Sequence, residues 1–498
     1  MTNSTLGNFG FKHKAGILMP LSSLPSKYGI GSFGKEAYRF VDFLVEAGQK
    51  CWQVLPLNPT SYGDSPYQSP ASIAGNPYYI DLDILCERGL LTKEELRSAE
   101  HDTERVDYGF LFNTRYEILR LAYSRFKADR AFNKFVSSNA EWVEDYALFM
   151  ALKTSNEYRA WYQWSDELRD YKKAKTHYAE YEAECGFWIW LQYEFFREWS
   201  ALLKYAHSKG IVVIGDMPIY VAHDSMDVWR APDQFLLDDE YCPIVVAGCP
   251  PDAFSDDGQL WGNPVYNWQR MEMDSYAWWR KRIGYAFKIY DILRIDHFRG
   301  FASFYAIPYG DENAKRGNWM KAPGSRLFRA IREEYPNAKI IAEDLGYITD
   351  DVKELLAETA FPGMKVLQFA FSNDDNEYLP RLYDSDNCVS YTGSHDSECT
   401  KSWYASLSKE EKKRFNKECP KKCGECATDA LIALIMKSRA NLAVIPMQDY
   451  LLLTNEAGRM NMPSVASGNW QWRVKKNYFR KPLVEKIYAF AKSGKRVK

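Results

Sequence analysis

The stretch Asp291-Ile-Leu-Arg-Ile-Asp-His-Phe-Arg-Gly300 begins with apolar residues and ends in a cluster of charged side chains. Its apolar first half predicts a short buried β-strand. Its second half places Asp296 within three residues of two arginines and a histidine, and neighbouring cations favour the ionised form of a carboxylate. An ionised carboxylate at the end of a strand can act as a nucleophile. Locally paired charges on a solvated loop are the simpler interpretation of this segment alone.

Seven other apolar segments occur along the chain, and each ends in polar residues, glycine or proline. They are 15–21, 50–57, 210–216, 338–343, 366–371, 388–392 and 441–446. Amphipathic spacing predicts helices between most of them, at 35–47, 188–209, 275–289, 325–335, 350–359 and 427–439. Eight apolar strands alternating with helices predict an α/β fold, a (β/α)8 TIM barrel. A doubly wound open sheet is the alternative, but no G-x-G-x-x-G motif follows any predicted strand.

The spacing of the predicted strands indicates one catalytic barrel, 1–498, with two large insertions. The first insertion, 58–187, is too long for a loop and predicts a mostly helical subdomain. The second, 217–274, is rich in proline, aspartate and glycine and predicts long ordered loops, with an active-site lid at 245–264. Little chain follows the eighth predicted strand, so we expect no C-terminal β-domain.

Composition limits the classes of partner. A net charge of -2 argues against nucleic acid or an anionic membrane surface as a partner. No segment approaches the ~18 apolar residues of a membrane span, and residues 1–16 hold no apolar run of signal-peptide length, so we expect a cytoplasmic protein. The aromatic fraction of 15% suits a groove that stacks flat apolar faces. The motif Cys419-x3-Cys423-x2-Cys426 has the spacing of an iron–sulfur site but lies late in the chain, so we expect no cofactor.

Acidic residues follow several predicted strands, at the positions where a (β/α)8 barrel carries its active site. They are Asp216, Asp296, Glu343, Asp396 and Asp449. A strand-end aspartate can also cap the next helix, which is the structural alternative for Asp449 and, equally, for Asp216. The other three share the predicted barrel mouth with cationic or imidazole side chains, which favours a functional role for them.

The surroundings of two of these acids predict different protonation states. Asp296, among cations, should be ionised, whereas Glu343 follows apolar residues and precedes Asp344, which favours its protonated form. An ionised carboxylate facing a protonated one is suited to cleave glycosidic bonds. Asp396 could bind sugar hydroxyls or distort the ring. We expect no metal, because ligand spacings such as H-x-H or H-E-x-x-H are absent.

The acids at 296, 343 and 396 lie in three sequence blocks, Arg294-Ile-Asp-His-Phe-Arg-Gly300, Ala342-Glu-Asp-Leu-Gly346 and Gly393-Ser-His-Asp396. These blocks resemble the catalytic blocks of the 4-α-glucanotransferases, the amylomaltases or disproportionating enzymes of glycoside hydrolase family 77. Further matches are Gly63-Asp-Ser-Pro-Tyr67, Gly75-Asn-Pro77, Gly215-Asp-Met-Pro218, Pro251-Asp252, Gln259-Leu-Trp-Gly-Asn-Pro264 and Gln448-Asp449. The third block usually reads Gly-Thr-His-Asp-Asn, whereas this chain has serine at 394 and 397. Tyr62 is a further candidate, either for a remote glucan contact or for loop packing.

The resemblance implies a retaining transferase in which Asp296 is the nucleophile, Glu343 the acid/base and Asp396 the transition-state stabiliser. It implies substrate-binding roles for Tyr67, Asp216, Trp261, Asn263, Arg294, His297, His395 and Gln448. The implied partners are α-1,4-glucans and maltooligosaccharides. A retaining α-amylase-like hydrolase is the alternative activity. A silent glycan-binding barrel is a further alternative, against which the intact set of three carboxylates argues.

Overall fold

Eight parallel strands close into a barrel in the computed structural model, which describes residues 12–497 except 62, 252–254, 347, 421–423 and 464. In chain order the strands of this part are β1 (Lys14–Leu18), β2 (Cys51–Gln53), β3 (Val212–Met217), β4 (Val245–Cys249), β5 (Gln259–Pro264), β6 (Ile292–Ile295), β7 (Ser303–Pro308), β8 (Asn318–Lys321), β9 (Ile340–Ala342), β10 (Gly363–Val366), β11 (Cys388–Tyr391) and β12 (Leu442–Pro446). The barrel order is β1-β12-β11-β10-β9-β6-β3-β2, and neighbours pair in parallel. The predicted (β/α)8 barrel is confirmed.

Helices lie between most of the barrel strands. In chain order they are α1 (Lys35–Glu46), α2 (Leu82–Glu87), α3 (Lys93–Ser98), α4 (Tyr108–Arg125), α5 (Arg130–Ser155), α6 (Asp166–Arg169), α7 (Tyr171–Ala174), α8 (Glu182–Ser208), α9 (Met226–Arg230), α10 (Trp268–Met273), α11 (Ala277–Ile289), α12 (Gly324–Glu334), α13 (Asp350–Thr359), α14 (Thr400–Ser406), α15 (Lys409–Glu418), α16 (Ala427–Lys437), α17 (Met447–Tyr450), α18 (Asn455–Gly458) and α19 (Lys481–Ser493). The six predicted helices correspond to α1, α8, α11, α12, α13 and α16. Among the described residues, no helix has the length and apolar character needed to cross a bilayer.

The interior of the barrel is filled by one cluster of buried side chains to which all eight barrel strands contribute. Its members are Leu18, Cys51, Ile214, Ile292, Ile341, Met364, Val366, Val389, Tyr391, Leu442 and Val444. Burial raises the pKa of the Cys51 thiol to about 12, so this cysteine behaves as an apolar packing residue at neutral pH. A filled interior leaves the strand ends as the place where polar side chains can meet.

The sixth barrel strand lies earlier in the chain than predicted. The apolar run 366–371 predicts a strand, but β10 ends at Val366 and the chain then turns into a short 3-10 helix. Phe371 packs instead against Trp403 and Phe415, with ring-centroid distances of 5.7 and 5.1 Å. A short apolar run can be buried by a sheet or by helices, so composition alone misplaced this strand.

The prediction of loops throughout 217–274 is wrong for part of that segment. β4 pairs antiparallel with β5 and with β7, and β7 pairs antiparallel with β8. These strands form a second sheet in the order β5-β4-β7-β8. Val245 lies opposite Pro308 in this sheet, so the pairing joins segments on either side of β6 that no local pattern connects.

Helices α2 to α7 occupy much of the segment 58–187 before α8 leads back to the barrel. Trp142 of α5 packs against Phe196 of α8, with ring centroids 5.7 Å apart. Much of the aromatic surplus in this segment therefore serves packing. Three residues considered from the sequence lie outside the described part of the chain: Tyr62, Asp252 and Cys423.

Arg496 joins the two ends of the chain where the barrel closes. Its buried guanidinium donates hydrogen bonds to five backbone carbonyl groups, including those of Lys14 at the start of β1 and Ala440 just before β12. The other three carbonyls belong to the C-terminal end of α16 and the residue after it. Arg496 therefore holds α16, β1 and β12 together at the N-terminal ends of the barrel strands.

Replacing Arg496 by methionine is expected to lower the free energy of unfolding by about 3 kcal/mol or more, because several buried carbonyl groups lose their donor. Urea unfolding followed by circular dichroism measures this change. Lys495→Met, at an exposed neighbouring position, is the matched control and should leave the unfolding curve in place. Equal stability of the two variants would contradict the proposed role of Arg496.

Candidate active site

Acidic side chains from four barrel strands meet at the C-terminal mouth of the barrel. Asp216 lies near the end of β3, Asp296 follows β6 directly and Glu343 follows β9 directly. Asp396 lies on the loop after β11. Their contacts form one network, since an arginine, a tyrosine, a histidine and backbone amides connect the four carboxyl groups.

Arg294 is the cation at the centre of this network. Its Nη1 donates to both carboxylate oxygens of Asp216 at 2.7 Å, and its Nη2 lies 2.9 Å from Oδ1 of Asp296. The hydroxyl of Tyr67 donates to Oδ2 of Asp216 at 2.8 Å. Asp216 is buried and binds side chains of the mouth, so its alternative interpretation as a helix cap is not supported. It holds Arg294 against Asp296.

The electrostatic surroundings of Asp296 differ from those that its sequence neighbours suggest. Burial raises the pKa of Asp296, Arg294 lowers it, and the charge of Asp216 raises it further, with a net increase. His297 is not a cation at neutral pH, because burial lowers its pKa to about 4. Arg299 lies over the ring of Trp319 at 3.8 Å. The expectation that three flanking groups lower this pKa is therefore wrong, and the ionised form depends on Arg294.

Glu343 is held by two backbone amides. The N–H of His297 donates to its Oε2 at 2.6 Å, and the N–H of Leu345 donates to its Oε1 at 3.1 Å. His297 adopts a left-handed backbone conformation with φ of 51°, which is uncommon for a residue other than glycine. Burial, followed by the charge of Asp296, raises the pKa of Glu343 to about 8. At neutral pH Glu343 is therefore mostly protonated, as the apolar strand before it suggests.

The pKa of Asp396 is shifted downward, in the opposite direction to that of Glu343. Burial alone raises its pKa, but the charge of His395 and hydrogen bonds from His395 and Asn461 lower it to about 2. Nε2 of His395 lies 3.2 Å from Oδ2, and Nδ2 of Asn461 donates to Oδ1 at 2.6 Å. His395 in turn stacks on Tyr67, with ring centroids 5.1 Å apart. The mouth thus combines an ionised Asp396 with a protonated Glu343.

Comparison with known proteins identifies the family. A family model described as 4-alpha-glucanotransferase matches residues 19–478. The chain belongs to the 4-alpha-glucanotransferase family. A 4-alpha-glucanotransferase of Clostridium butyricum is 48% identical over 479 residues, which cover 94% of this chain and 98% of that protein. A 4-alpha-glucanotransferase of Aquifex aeolicus is 42% identical over 472 residues, with coverage of 94% and 96%.

Solved structures agree with the family membership. An amylomaltase from Streptococcus agalactiae, in complex with acarbose, matches with a TM-score of 0.94 and 39% sequence identity, covering 98% of this chain and 100% of that chain. An amylomaltase from Corynebacterium glutamicum matches with a TM-score of 0.77 and 16% identity, over 99% of this chain and 77% of that chain, which supports the fold alone. The resemblance of the sequence blocks to glycoside hydrolase family 77 is confirmed, and the chain is a glycosyl-transferring enzyme of this family.

The two departures of this 4-alpha-glucanotransferase from the usual third block lie in one turn. The backbone N–H of Ser394 donates to Oγ of Ser397 at 2.9 Å, and the N–H of Asp396 donates to Oγ of Ser394 at 3.3 Å. Both hydroxyl groups therefore stabilise the backbone that presents Asp396. The positions differ in residue type from the usual block, yet each serves as an acceptor within the turn.

The predicted substrate-binding residues of the second sheet lie near the mouth. The ring of Trp261 meets that of His297 edge-on, with centroids 4.8 Å apart. Asn263 is buried, and its Nδ2 donates to the carbonyl of Val221 at 2.8 Å, while Gln68 Nε2 donates to its Oδ1 at 2.9 Å. Asn263 thus links the sheet to neighbouring loops, and its contact with a substrate stays a prediction.

The residues after β12 have different roles. The carboxylate of Asp449 accepts hydrogen bonds from the backbone N–H and hydroxyl of Thr400, the first residue of α14, and from the hydroxyl of Thr392. Asp449 therefore holds the N-terminus of α14, a helix that precedes it in the chain. It does not cap the helix that follows its own strand, contrary to its structural interpretation. Gln448 is buried and donates to the carbonyl of Gly458, and its substrate contact also stays a prediction.

Sequence reasoning missed Asn461 and Gln68. Both are polar residues of loops, and no motif marks them as partners of the site. The only signal for Asn461 is its place in the loop after the eighth strand, because loops at that end of a barrel build the active site. In the described part of the chain, no group of three or more His, Cys, Asp or Glu side chains is placed to hold a metal ion.

Proposed function

We propose that this protein transfers a segment of an α-1,4-glucan to the 4-hydroxyl of an acceptor glucose or maltooligosaccharide, with retention of configuration. The observation that supports this most directly is the pair formed by Asp296, ion-paired with Arg294, and the adjacent protonated Glu343. This arrangement supplies a nucleophile and an acid together, in a chain of the 4-alpha-glucanotransferase family. A cytoplasmic location, expected from the sequence, is part of the same proposal.

The first half of the reaction breaks the donor glucan. Glu343 gives its proton to the glycosidic oxygen, while a carboxylate oxygen of Asp296 attacks the anomeric carbon. The bond between that carbon and the glycosidic oxygen breaks, the leaving glucan departs with a free 4-hydroxyl, and a β-glycosyl ester forms on Asp296. Glu343 is left as a carboxylate, whose two oxygens are held by the amides of His297 and Leu345.

The second half transfers the glycosyl group. The Glu343 carboxylate takes the proton from the 4-hydroxyl of an acceptor, and the acceptor oxygen attacks the anomeric carbon. The ester bond to Asp296 breaks, so two inversions restore the α configuration. Glu343 ends protonated and Asp296 ends as a carboxylate paired with Arg294, so both groups return to their starting states.

The remaining polar groups of the mouth bind and orient the sugar in this proposal. Arg294 pairs with Asp296 and stabilises its ionised form. Two hydrogen bonds to Asp216 fix the position of the Arg294 side chain, so Arg294 also orients the Asp296 carboxylate. Asp396 and His395 form a charged pair that can bind sugar hydroxyls and strengthen those bonds as positive charge develops on the ring. Trp261, which contacts the ring of His297, offers an apolar surface at the mouth.

Transfer rather than hydrolysis requires that acceptor sugar reach the intermediate before water does. Positioning raises the effective concentration of a bound acceptor, and exclusion of water protects the ester. We propose that the segment 245–264 acts as the lid. Strand β4 begins this segment and β5 ends it, and β4 pairs with β5 and with β7. The ring of Trp261 on β5 meets that of His297 edge-on, beside the mouth.

Maltotriose as the sole substrate is expected to yield glucose together with a ladder of longer maltooligosaccharides. Each transfer consumes one reducing end for each one released, so the total number of reducing ends should stay nearly constant early in the reaction. Chromatography of the products combined with a reducing-end assay measures both quantities. A steady rise in reducing ends without longer products would identify a hydrolase, and glucan binding without any product would identify a silent barrel.

The rate is expected to fall as the pH rises through about 8, because Glu343 then loses the proton that it must donate. The profile of kcat/KM for maltotriose against pH measures this fall. Asp344→Asn should move the fall to lower pH, since the charge of Asp344 raises the pKa of Glu343. Asp350→Asn, at a side chain that is 94% exposed, is the matched control. A fall at the same pH in all three proteins would contradict the assignment.

A further inference from the structure

Gln68 and Asn263 face each other through their side-chain amides, and we call them the amide pair. Nε2 of Gln68 donates to Oδ1 of Asn263 at 2.9 Å, and Nδ2 of Asn263 donates to Oε1 of Gln68 at 3.2 Å. Two amides that exchange both hydrogen bonds fix the distance and the orientation of their side chains, since each supplies one donor and one acceptor. The amide pair therefore joins two segments that are 195 residues apart in the chain.

The other hydrogen bonds of the amide pair end on backbone carbonyl groups. Nε2 of Gln68 also donates to the carbonyl of Trp261 at 3.4 Å, and Nδ2 of Asn263 donates to the carbonyl of Val221 at 2.8 Å. Each amide nitrogen carries two hydrogens, so these four bonds use every donor of the pair. The amide pair is therefore better suited to positioning the chain than to donating hydrogen bonds to a sugar.

The strand that carries Asn263 is weakly held by its own sheet. β5 is an edge strand in the order β5-β4-β7-β8, so within the described sheet it pairs with β4 alone. Val246 lies opposite Pro264 and Gly248 lies opposite Leu260, so one residue of β4 faces three of β5. Such a bulge bends an edge strand and re-aims its side chains. Asn263 is one of these three residues and it is buried, so the bulge turns its amide towards the barrel.

The amide pair connects β5 to the segment that contacts the mouth. The hydroxyl of Tyr67, the neighbour of Gln68, donates to Asp216 at 2.8 Å. On β5, the ring of Trp261 contacts that of His297, the residue after the predicted nucleophile. A movement of β5 away from the mouth therefore has to break the amide pair.

We propose that Gln68 is a positioning residue that acts through Asn263, holds β5 against the mouth and thereby favours transfer over hydrolysis. This inference rests on the proposed function, in which acceptor sugar and water compete for the ester on Asp296. A lid strand that is held in place keeps the acceptor positioned and excludes water, and both effects favour transfer. Breaking the amide pair frees the edge strand, so water gains relative to the acceptor.

The ratio of transfer to hydrolysis measures this role. It is obtained with maltotriose as the amount of longer products formed per new reducing end. Water and the acceptor react with the same ester, so the ratio does not depend on the fraction of folded protein or on the rate of donor cleavage. A loss of stability alone therefore leaves the ratio unchanged.

Gln68→Met keeps the length of the side chain but removes both amide bonds. We expect the ratio to fall about tenfold, the scale of losing two neutral hydrogen bonds. Gln68→Asn should lower it as well, because an amide that is one methylene shorter does not reach Asn263. Gln269→Met, on an exposed position of α10, is the matched control and should keep the ratio. An unchanged ratio in Gln68→Met, or in Gln68→Asn should the methionine variant not fold, overturns the positioning role.

Asn263→Leu distinguishes an action through the pair from two independent contacts. If Gln68 acts through Asn263, adding Gln68→Met to Asn263→Leu should not lower the ratio further. A further fall of about tenfold in the double variant would mean that Gln68 acts on the sugar directly, and it would overturn the positioning role.

Hydrogen exchange of β5 separates this inference from the proposed function, because it needs no catalysis. Mass spectrometry of a peptide that covers 259–266 should show about tenfold faster exchange in Gln68→Met than in the unaltered protein, whereas a peptide that covers β9 should exchange alike in both. A product ladder with the same ratio and the same exchange in both proteins overturns the role of Gln68 and leaves the transferase in place. Faster exchange of β5 in the variant of a protein that only hydrolyses maltotriose supports the holding of β5 by Gln68 and overturns the proposed transfer.

Discussion

Replacing Asp296 by asparagine is expected to reduce glucan transfer by roughly 10⁴-fold or more, the scale seen when a covalent nucleophile is removed. The amide keeps the shape of the side chain but has no negative charge with which to attack the anomeric carbon. The ion pair with Arg294 is also lost, although the two hydrogen bonds from Arg294 to Asp216 remain. Initial rates of ladder formation from maltotriose measure the loss.

The fold of this variant is expected to stay intact, because the Asp296 side chain is 28% exposed and lies at the mouth, above the packed interior. Circular dichroism and binding of a maltooligosaccharide check that the protein still folds and still recognises sugar. Asp350→Asn, a fully comparable change at an exposed site, should retain normal transfer. Near-normal transfer by the Asp296 variant would mean that another carboxylate is the nucleophile.

Replacing Glu343 by glutamine is expected to abolish most transfer from maltotriose, because the leaving glucan then departs without a proton. A donor with a good leaving group, such as α-maltosyl fluoride, bypasses this requirement in the first half of the reaction. The variant should release about one equivalent of fluoride in a burst. Turnover should then be slow, since no base activates the acceptor.

The backbone around Glu343 makes a second variant necessary. Both carboxylate oxygens accept backbone N–H groups, and the NH2 group of glutamine cannot replace one of those acceptors. Glu343→Ala removes the mismatch, and azide, a nucleophile that needs no base, should restore its turnover of the fluoride. Glu354→Gln, on an exposed position of α13, is the matched control. Equal loss of activity towards maltotriose and the fluoride, without a burst, would contradict the acid/base role.

Local sequence patterns determined most of the barrel. Seven of its eight strands lie at or within predicted apolar segments, and the six predicted helices are present. These elements are predictable because the spacing of apolar residues along the chain indicates which residues a strand or helix buries. The positions of Asp296 and Glu343 directly after strands also follow from sequence. In a parallel barrel every strand ends at the same face, so strand-end residues must be neighbours in space.

Only the tertiary structure decided the electrostatics of the site. Arg299 is near Asp296 in sequence but lies against Trp319, while Asp216, from another strand, holds the arginine that stabilises the charge of Asp296. Burial sets the pKa of His297 and of Glu343, and burial is a property of the whole fold.

Non-local pairing decided the remaining architecture. The pairing of β4 with β7 converts an expected loop region into a sheet, and Asn461 reaches Asp396 from the loop after the last barrel strand. The physical reason is common to these cases. Charge interactions and strand pairing depend on distance in space, whereas sequence reports only distance along the chain.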